Sequence, residues 1–124
     1  MGETLLYVDD DALRSEVMTA RLRLLGYQVL NARNGAAAIE IFAAQHIDLA
    51  IVDYYMPGMS GDLVAMEMKN LRRNIPVIIF SGTFTLSEMV IAIVDGFVST
   101  SDDPDALLDK IAEVLGPRRA ARAS

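Results

Sequence analysis

Apolar residues along this chain gather into short runs of strand length, each ending in a polar cluster, and between the runs they recur every three or four positions. The fullest example is Leu49-Ala50-Ile51-Val52, which ends in Asp53 and passes at once into the turn Tyr54-Tyr55-Met56-Pro57-Gly58-Met59-Ser60-Gly61. A near-continuous apolar run is what a strand buried on both faces requires. Thr4-Leu5-Leu6-Tyr7-Val8 has the same form and ends in Asp9-Asp10-Asp11. Tyr27-Gln28-Val29-Leu30-Asn31-Ala32 reads as a second strand, Pro76-Val77-Ile78-Ile79-Phe80 as a fourth ending in Ser81-Gly82, and Gly96-Phe97-Val98-Ser99 as a brief fifth.

The intervening segments read as helices. Residues 12–25 place Leu13, Val17, Ala20 and Leu24 on one stripe, with Arg14, Arg21 and Arg23 mostly outside it, and Gly26 stops the helix. Asn34-Gly35 opens a second helix with Ala38, Ile39 and Phe42 inward. A third, over residues 60–71, turns Val64, Ala65, Met68 and Leu71 inward and leaves Leu63 and Met66 on its outer face. Thr85 with Glu88 matches a capping box and predicts a fourth helix over residues 85–94. Asp103-Pro104 supplies an N-cap and a first-turn proline for a last helix over residues 106–115, which Gly116 ends. Five strands alternating with five helices predict a parallel α/β sheet covered on both faces through right-handed crossovers. The economical arrangement is the flavodoxin-like doubly wound (βα)5 three-layer sandwich with strand order 2-1-3-4-5.

Composition narrows the chemistry. At 124 residues and 52% hydrophobic content, the chain suffices for one domain, here residues 1–116, with residues 117–124 a basic, flexible tail or linker stub. A net charge of −6 argues against direct nucleic-acid binding. The absence of cysteine excludes disulfides and thiolate chemistry, and the single histidine, His46, argues against a histidine triad or zinc site. No run approaches a membrane span and no signal-peptide pattern opens the chain, so a cytoplasmic, soluble protein is expected.

In the 2-1-3-4-5 order strands one and three are neighbours, so Asp9, Asp10 and Asp53 should meet at the carboxyl edge of the sheet, where open α/β sheets bind ligands. Clustered carboxylates repel one another and call for a hard divalent cation such as Mg2+. Ser81 adds a hydroxyl beside Asp53. Carboxylates, a metal and a hydroxyl suit phosphoryl transfer, with an aspartate able to act as nucleophile. Each residue also has a plain structural reading: Asp11 caps the first helix, Asp53 precedes a turn, and Ser81-Gly82 closes a strand. The conjunction at successive strand ends favours a site.

These residues make the sequence recognisable. Val8-Asp9-Asp10-Asp11, Asn34-Gly35, Asp48 with Asp53 and Met56-Pro57-Gly58-Met59-Ser60-Gly61, and Pro76-Val77-Ile78-Ile79-Phe80-Ser81-Gly82 resemble the receiver domain of two-component response regulators over almost the whole chain. The resemblance implies that Asp53 accepts a phosphoryl group from a histidine kinase or phosphotransfer protein. It implies that Asp10 holds Mg2+ directly and Asp9 through water, with Asp53 and the Tyr55 backbone carbonyl as further ligands. Ser81 would be the switch hydroxyl and Phe97 the aromatic switch residue. Such a domain is no enzyme beyond catalysing its own phosphorylation and dephosphorylation.

One family feature is missing: the strand-five lysine, usually followed by proline, is replaced by Thr100 and Ser101, and Lys110 lies inside the last helix. Thr100 donates a hydrogen bond but no charge, so a phosphoryl group of about −1.5 to −2 charges would have only Mg2+ to oppose it. Mg2+ binding is then expected to survive while coupling of phosphorylation to a conformational change weakens. The fourth helix, with Leu86, Met89, Val90, Ile91, Ile93 and Val94, carries more apolar residues than one buried stripe needs. It reads either as a deeply buried helix or as a partner or homodimer face shared with the fifth strand. The runner-up function is a pseudo-receiver, a phosphorylation-independent interaction module; a small phosphatase of similar fold is disfavoured because Tyr55 stands where its second aspartate would be. No output domain follows Leu115, so the chain reads as a stand-alone regulator or as a receiver from a larger protein such as a hybrid kinase.

Overall fold

A computed structural model describes residues 2–82, 88–99 and 105–123, with side chains through Gly116. The strands are β1 (Thr4–Val8), β2 (Gln28–Ala32), β3 (Leu49–Asp53), β4 (Val77–Ser81) and β5 (Gly96–Ser99). The helices are α1 (Ala12–Leu24), α2 (Gly35–Ala44), α3 (Gly61–Leu71), α4 (Glu88–Ile93) and α5 (Asp105–Ala123). All strand pairs are parallel, in the order β2-β1-β3-β4-β5, as the sequence pattern predicts.

Strand side chains alternate between two cores. Leu6, Val8, Ala50, Val52, Val77 and Ile79 face the layer of α2, α3 and α4, where Phe42, Val64, Met68 and Val90 pack on them. Leu5, Tyr7, Ile51, Ile78, Phe80 and Val98 face α1 and α5 and meet Leu22, Leu107, Ile111 and Leu115. The central strands β3 and β4 are buried at every residue, which is why their sequences are apolar up to the closing Asp53 and Ser81.

Local signals set the helix ends. The Asp11 carboxylate accepts a hydrogen bond from the Arg14 backbone N–H at 3.0 Å, and the Asn34 side chain accepts one from Ala37 at 2.8 Å, so both act as N-caps. The N–H groups of Tyr27 and Gly26 return to the carbonyls of Leu22 and Arg23, and Gly26 takes φ +98°, the left-handed end of a Schellman motif. Thr85, Leu86, Asp103 and Pro104, which carry the other predicted caps and one predicted apolar contact, lie outside the described residues.

Three helices depart from expectation. The stripe Leu13, Val17, Ala20 and Leu24 does not face the sheet; Leu13 is 71% and Leu24 87% exposed. Ser15, Thr19 and Leu22 are buried instead, because the Asn31 side chain on β2 donates to Thr19 Oγ1 at 2.9 Å and Ser15 Oγ at 3.3 Å. A satisfied polar seam plus one well-placed leucine outweighs the more apolar stripe beside it. Helix α5 continues to Ala123 rather than ending at Gly116, since the arginines and alanines after Pro117 are strong helix formers. Leu71, expected inward on α3, is 48% exposed in its last turn, whereas Val64, Ala65 and Met68 are buried as expected. Among the described residues, no helix is long and apolar enough to cross a membrane.

Candidate functional site

The carboxyl ends of β1 and β3 bring the predicted acids together. Carboxylate oxygens of Asp9, Asp10 and Asp53 lie within 4.8 Å of one another, with Asp9 and Asp53 buried and Asp10 exposed. The turn after β3 is fixed by the approach of α3. The Gly61 N–H donates to the Tyr54 carbonyl at 2.8 Å, and a Cβ on Gly61 would stand 2.3 Å from the Asp53 carbonyl oxygen. The last glycine of the Met-Pro-Gly-Met-Ser-Gly turn therefore lets α3 start against the backbone that carries Asp53.

Arg14, which helical periodicity assigns to the solvent side of α1, reaches into this pocket. Its Nε donates to Asp9 Oδ2 at 2.7 Å, and its Nη2 donates to Asp9 Oδ1 at 2.9 Å and to Asp53 Oδ2 at 3.1 Å. The guanidinium lies 5.6 Å from the Phe80 ring centre, and Phe80 stacks on Tyr7 at 5.6 Å between centroids and 17° between planes. The Tyr7 hydroxyl donates to Asp9 Oδ2 at 3.0 Å, and the Asp11 N–H donates to Asp9 Oδ1 at 2.9 Å. Each Asp9 oxygen thus accepts two hydrogen bonds, which fills a carboxylate's usual capacity. Asp9 is the anchor of Arg14.

These contacts set the charge states. Burial, and then the negative charge of Asp9, push the Asp53 carboxyl up to about 7, against the opposing pull of Arg14. The hydrogen bond to Asp9 holds the Arg14 guanidinium still more firmly protonated than usual. Burial and the neighbouring Asp9 raise the Tyr7 hydroxyl above its ordinary range, so it remains a donor. The expectation that only a metal opposes these carboxylates is therefore corrected: the chain brings its own cation.

The remaining predicted residues fall around the same edge. Asp53 pairs in register with Phe80, which puts Ser81, fully buried, one residue further along β4. The Tyr55 N–H donates to Asp53 Oδ1 at 3.3 Å, which brings the Tyr55 backbone alongside the carboxylate. Phe97 pairs with Ile79 and packs, half-buried, against the core under α2, α3 and α4. Thr100 and Ser101 lie outside the described residues. Neither lysine of the chain reaches the pocket: Lys69 pairs with Asp95 at 2.6 Å, and Lys110 pairs with Glu113 at 2.7 Å. Asp48 is spent at the opposite edge, accepting the Thr4 N–H at 2.8 Å.

Arg14, Tyr7 and Phe80 are the residues that sequence reasoning missed. A signal for Arg14 was present, because it sits in the first turn of a helix, where the macrodipole disfavours a cation. An arginine in that position, three residues after a run of three aspartates, has a local reason to be there.

An all-oxygen donor set of clustered carboxylates fits a hard divalent cation. The comparisons agree with this chemistry. The response regulator TrrA of Thermotoga maritima, solved in complex with Mg2+-BeF, is 30% identical, with a TM-score of 0.85 over 91% of this chain and 99% of that one. TrrA solved in complex with the histidine kinase ThkA is 31% identical, with a TM-score of 0.83 over 91% and 98%. Among curated proteins, the autoinducer 1 sensor kinase/phosphatase LuxN of Vibrio harveyi is 31% identical over 97% of this chain but only 14% of its own length. The probable transcriptional regulator ycf27 of Porphyridium aerugineum is 29% identical over 98% of this chain and 51% of its own. The chain thus spans about half, or less, of these curated relatives. The family model described as response regulator receiver domain matches residues 5–112, and the chain belongs to that family, the receiver domains of two-component systems.

Proposed function

We propose that this receiver is a phosphoacceptor switch, and the observation that carries the reading is the convergence of Asp9 and Asp10 on Asp53. An Asp53 carboxylate oxygen attacks the phosphorus of a partner kinase's phosphohistidine. A P–O bond forms as the P–N bond breaks, its electron pair returning to the imidazole nitrogen. Hydrolysis reverses the state: the water oxygen forms a new P–O bond as the P–O bond to Asp53 breaks, its electron pair restores the carboxylate, and inorganic phosphate leaves with the water's protons shared between it and solvent. Asp10, Asp53 and the Tyr55 carbonyl would hold Mg2+, which when bound neutralises charge developing on the phosphoryl oxygens. The Tyr55 N–H orients Asp53 Oδ1. Ser81 would meet the phosphoryl oxygen, with Phe97 following it.

The kinase partner is supported by the likeness to TrrA, itself solved with a histidine kinase. The exposed stripe Leu13, Val17 and Leu24 on α1, the helix that carries Arg14, offers apolar area for that contact. On α4, Val90 is buried but Met89 and Ile91 are exposed, which favours a partner face over a deeply buried helix. A homodimer through α4 and β5 predicts that sedimentation velocity with Mg2+ and beryllofluoride detects a dimer that Met89→Ser abolishes; a monomer at high concentration would remove this version.

The pseudo-receiver reading draws support from Arg14, which already occupies the acidic pocket. The two separate cleanly. With acetyl phosphate and Mg2+, the intact mass is expected to gain one phosphoryl group that Asp53→Asn does not acquire. No adduct on the wild type, with Mg2+ saturating, would leave the interaction-module reading.

A further inference from the structure

We infer that Arg14 is the residue that binds the phosphoryl group on Asp53, supplying from α1 the positive charge that the family's strand-five lysine would supply from the other side of the site. The inference rests on the phosphoacceptor reading and adds a residue to it. Three observations carry it. The guanidinium already donates to Asp53 Oδ2 at 3.1 Å, the side chain that would carry the phosphoryl group. It is held in place by the two-pronged contact to Asp9 and by the Phe80 face, so its position does not depend on Asp53. Its side chain is 41% exposed while that of Asp53 is 5% exposed, so Arg14 is the more open of the two to a group arriving from solvent.

The chemistry suits the task. A guanidinium is a planar fork matched to carboxylate and phosphate oxygens alike. The three observed bonds use Nε and Nη2, and the Nη1 amino group carries two further donors. When Asp53 becomes an acyl phosphate its own charge passes to the phosphoryl oxygens, so the Nη2 contact exchanges a carboxylate oxygen for a more highly charged acceptor. Asp9 then has a second role beside its place in the acidic cluster, because its oxygens accept from Arg14, Tyr7 and the Asp11 N–H.

The test measures beryllofluoride binding in saturating Mg2+ by fluorine NMR, and Mg2+ binding alone by calorimetry, for the wild type, Arg14→Gln and Arg14→Lys. Glutamine keeps a donor for the buried Asp9, which protects the fold, but removes the charge; lysine keeps the charge. Arg14→Gln is expected to bind beryllofluoride about tenfold or more weakly, the effect of one lost hydrogen bond to a charged group. Its affinity for Mg2+ alone should be equal or higher, since a competing cation has gone, and Arg14→Lys should recover most of the beryllofluoride affinity. Undiminished beryllofluoride binding by Arg14→Gln, or a loss that matches a parallel loss of Mg2+ binding, would overturn the inference while leaving Asp53 as acceptor. A wild type that binds Mg2+ but neither binds beryllofluoride nor labels with acetyl phosphate would overturn the phosphoacceptor reading and this inference with it.

Discussion

Gly61→Ala is expected to lower stability by about 2 kcal/mol or more and to slow labelling of Asp53, although alanine is the better helix former. The added Cβ would stand 2.3 Å from the Asp53 carbonyl oxygen, 2.6 Å from the Tyr54 Cα and 2.9 Å from the Asp53 carbonyl carbon. All three are backbone atoms, so no side chain can rotate away and the start of α3 must move off the end of β3. Overpacking of this kind costs about 1–3 kcal/mol, occasionally more, against a helix-propensity gain of at most about 1 kcal/mol. Sterics win because the clash falls on two elements that are both locked: β3 is buried at every residue, and α3 is held by Val64, Ala65 and Met68. Urea unfolding gives the stability, and the rate of acetyl phosphate labelling reports whether the Asp53 carboxylate has shifted. A variant as stable as the wild type would show that the two elements can separate freely.

The same rigidity explains what the sequence disclosed and what it withheld. Strands β3 and β4 write themselves into the chain because burial on both faces demands apolar residues whichever helices cover them. The acids at the ends of β1 and β3 are then placed by topology alone, and Asp9, Asp10 and Asp53 meet as the pattern implies. The docking face of α1 was hidden because it is decided by a partner on another element. Ser15 and Thr19 look like surface residues until Asn31 on β2 supplies hydrogen bonds to both. Arg14 was hidden for a related reason. Once the apolar stripe of α1 is assigned to the core, arginine falls by elimination to solvent, and the helix's actual rotation turns it to the carboxylates instead. One misplaced helix face therefore concealed both the exposed stripe of α1 and the cation of the site.

That cation does not neutralise the pocket completely, and the residue left under strain is Asp53. Asp53→Asn is expected to stabilise the protein in chelator at pH 8 by about 2 kcal/mol and to leave it unchanged at pH 4. The carboxyl is held up to about 7, from an ordinary 3.8, by burial and by the charge of Asp9, more than Arg14 pulls it down. Between those values the folded chain holds a proton that the unfolded chain releases, so stability falls as pH rises from about 4 to about 7 and stays low above that. Each unit is about 1.4 kcal/mol, so the shift, in which the pull of Arg14 is already included, sets a ceiling near 4 kcal/mol, and solvent screening around the partly open site brings the expected gain to about half of it. Asparagine keeps the shape, can still accept the Tyr55 N–H, and carries no charge to bury. Urea unfolding of both proteins in chelator from pH 4 to 8 should give curves that coincide at the acid end and separate toward neutrality. Added Mg2+ should narrow the gap, because a bound cation favours the carboxylate over the amide. A gap of constant size across this range would mean that Asp53 is ionised throughout, with Arg14 meeting the whole of its charge.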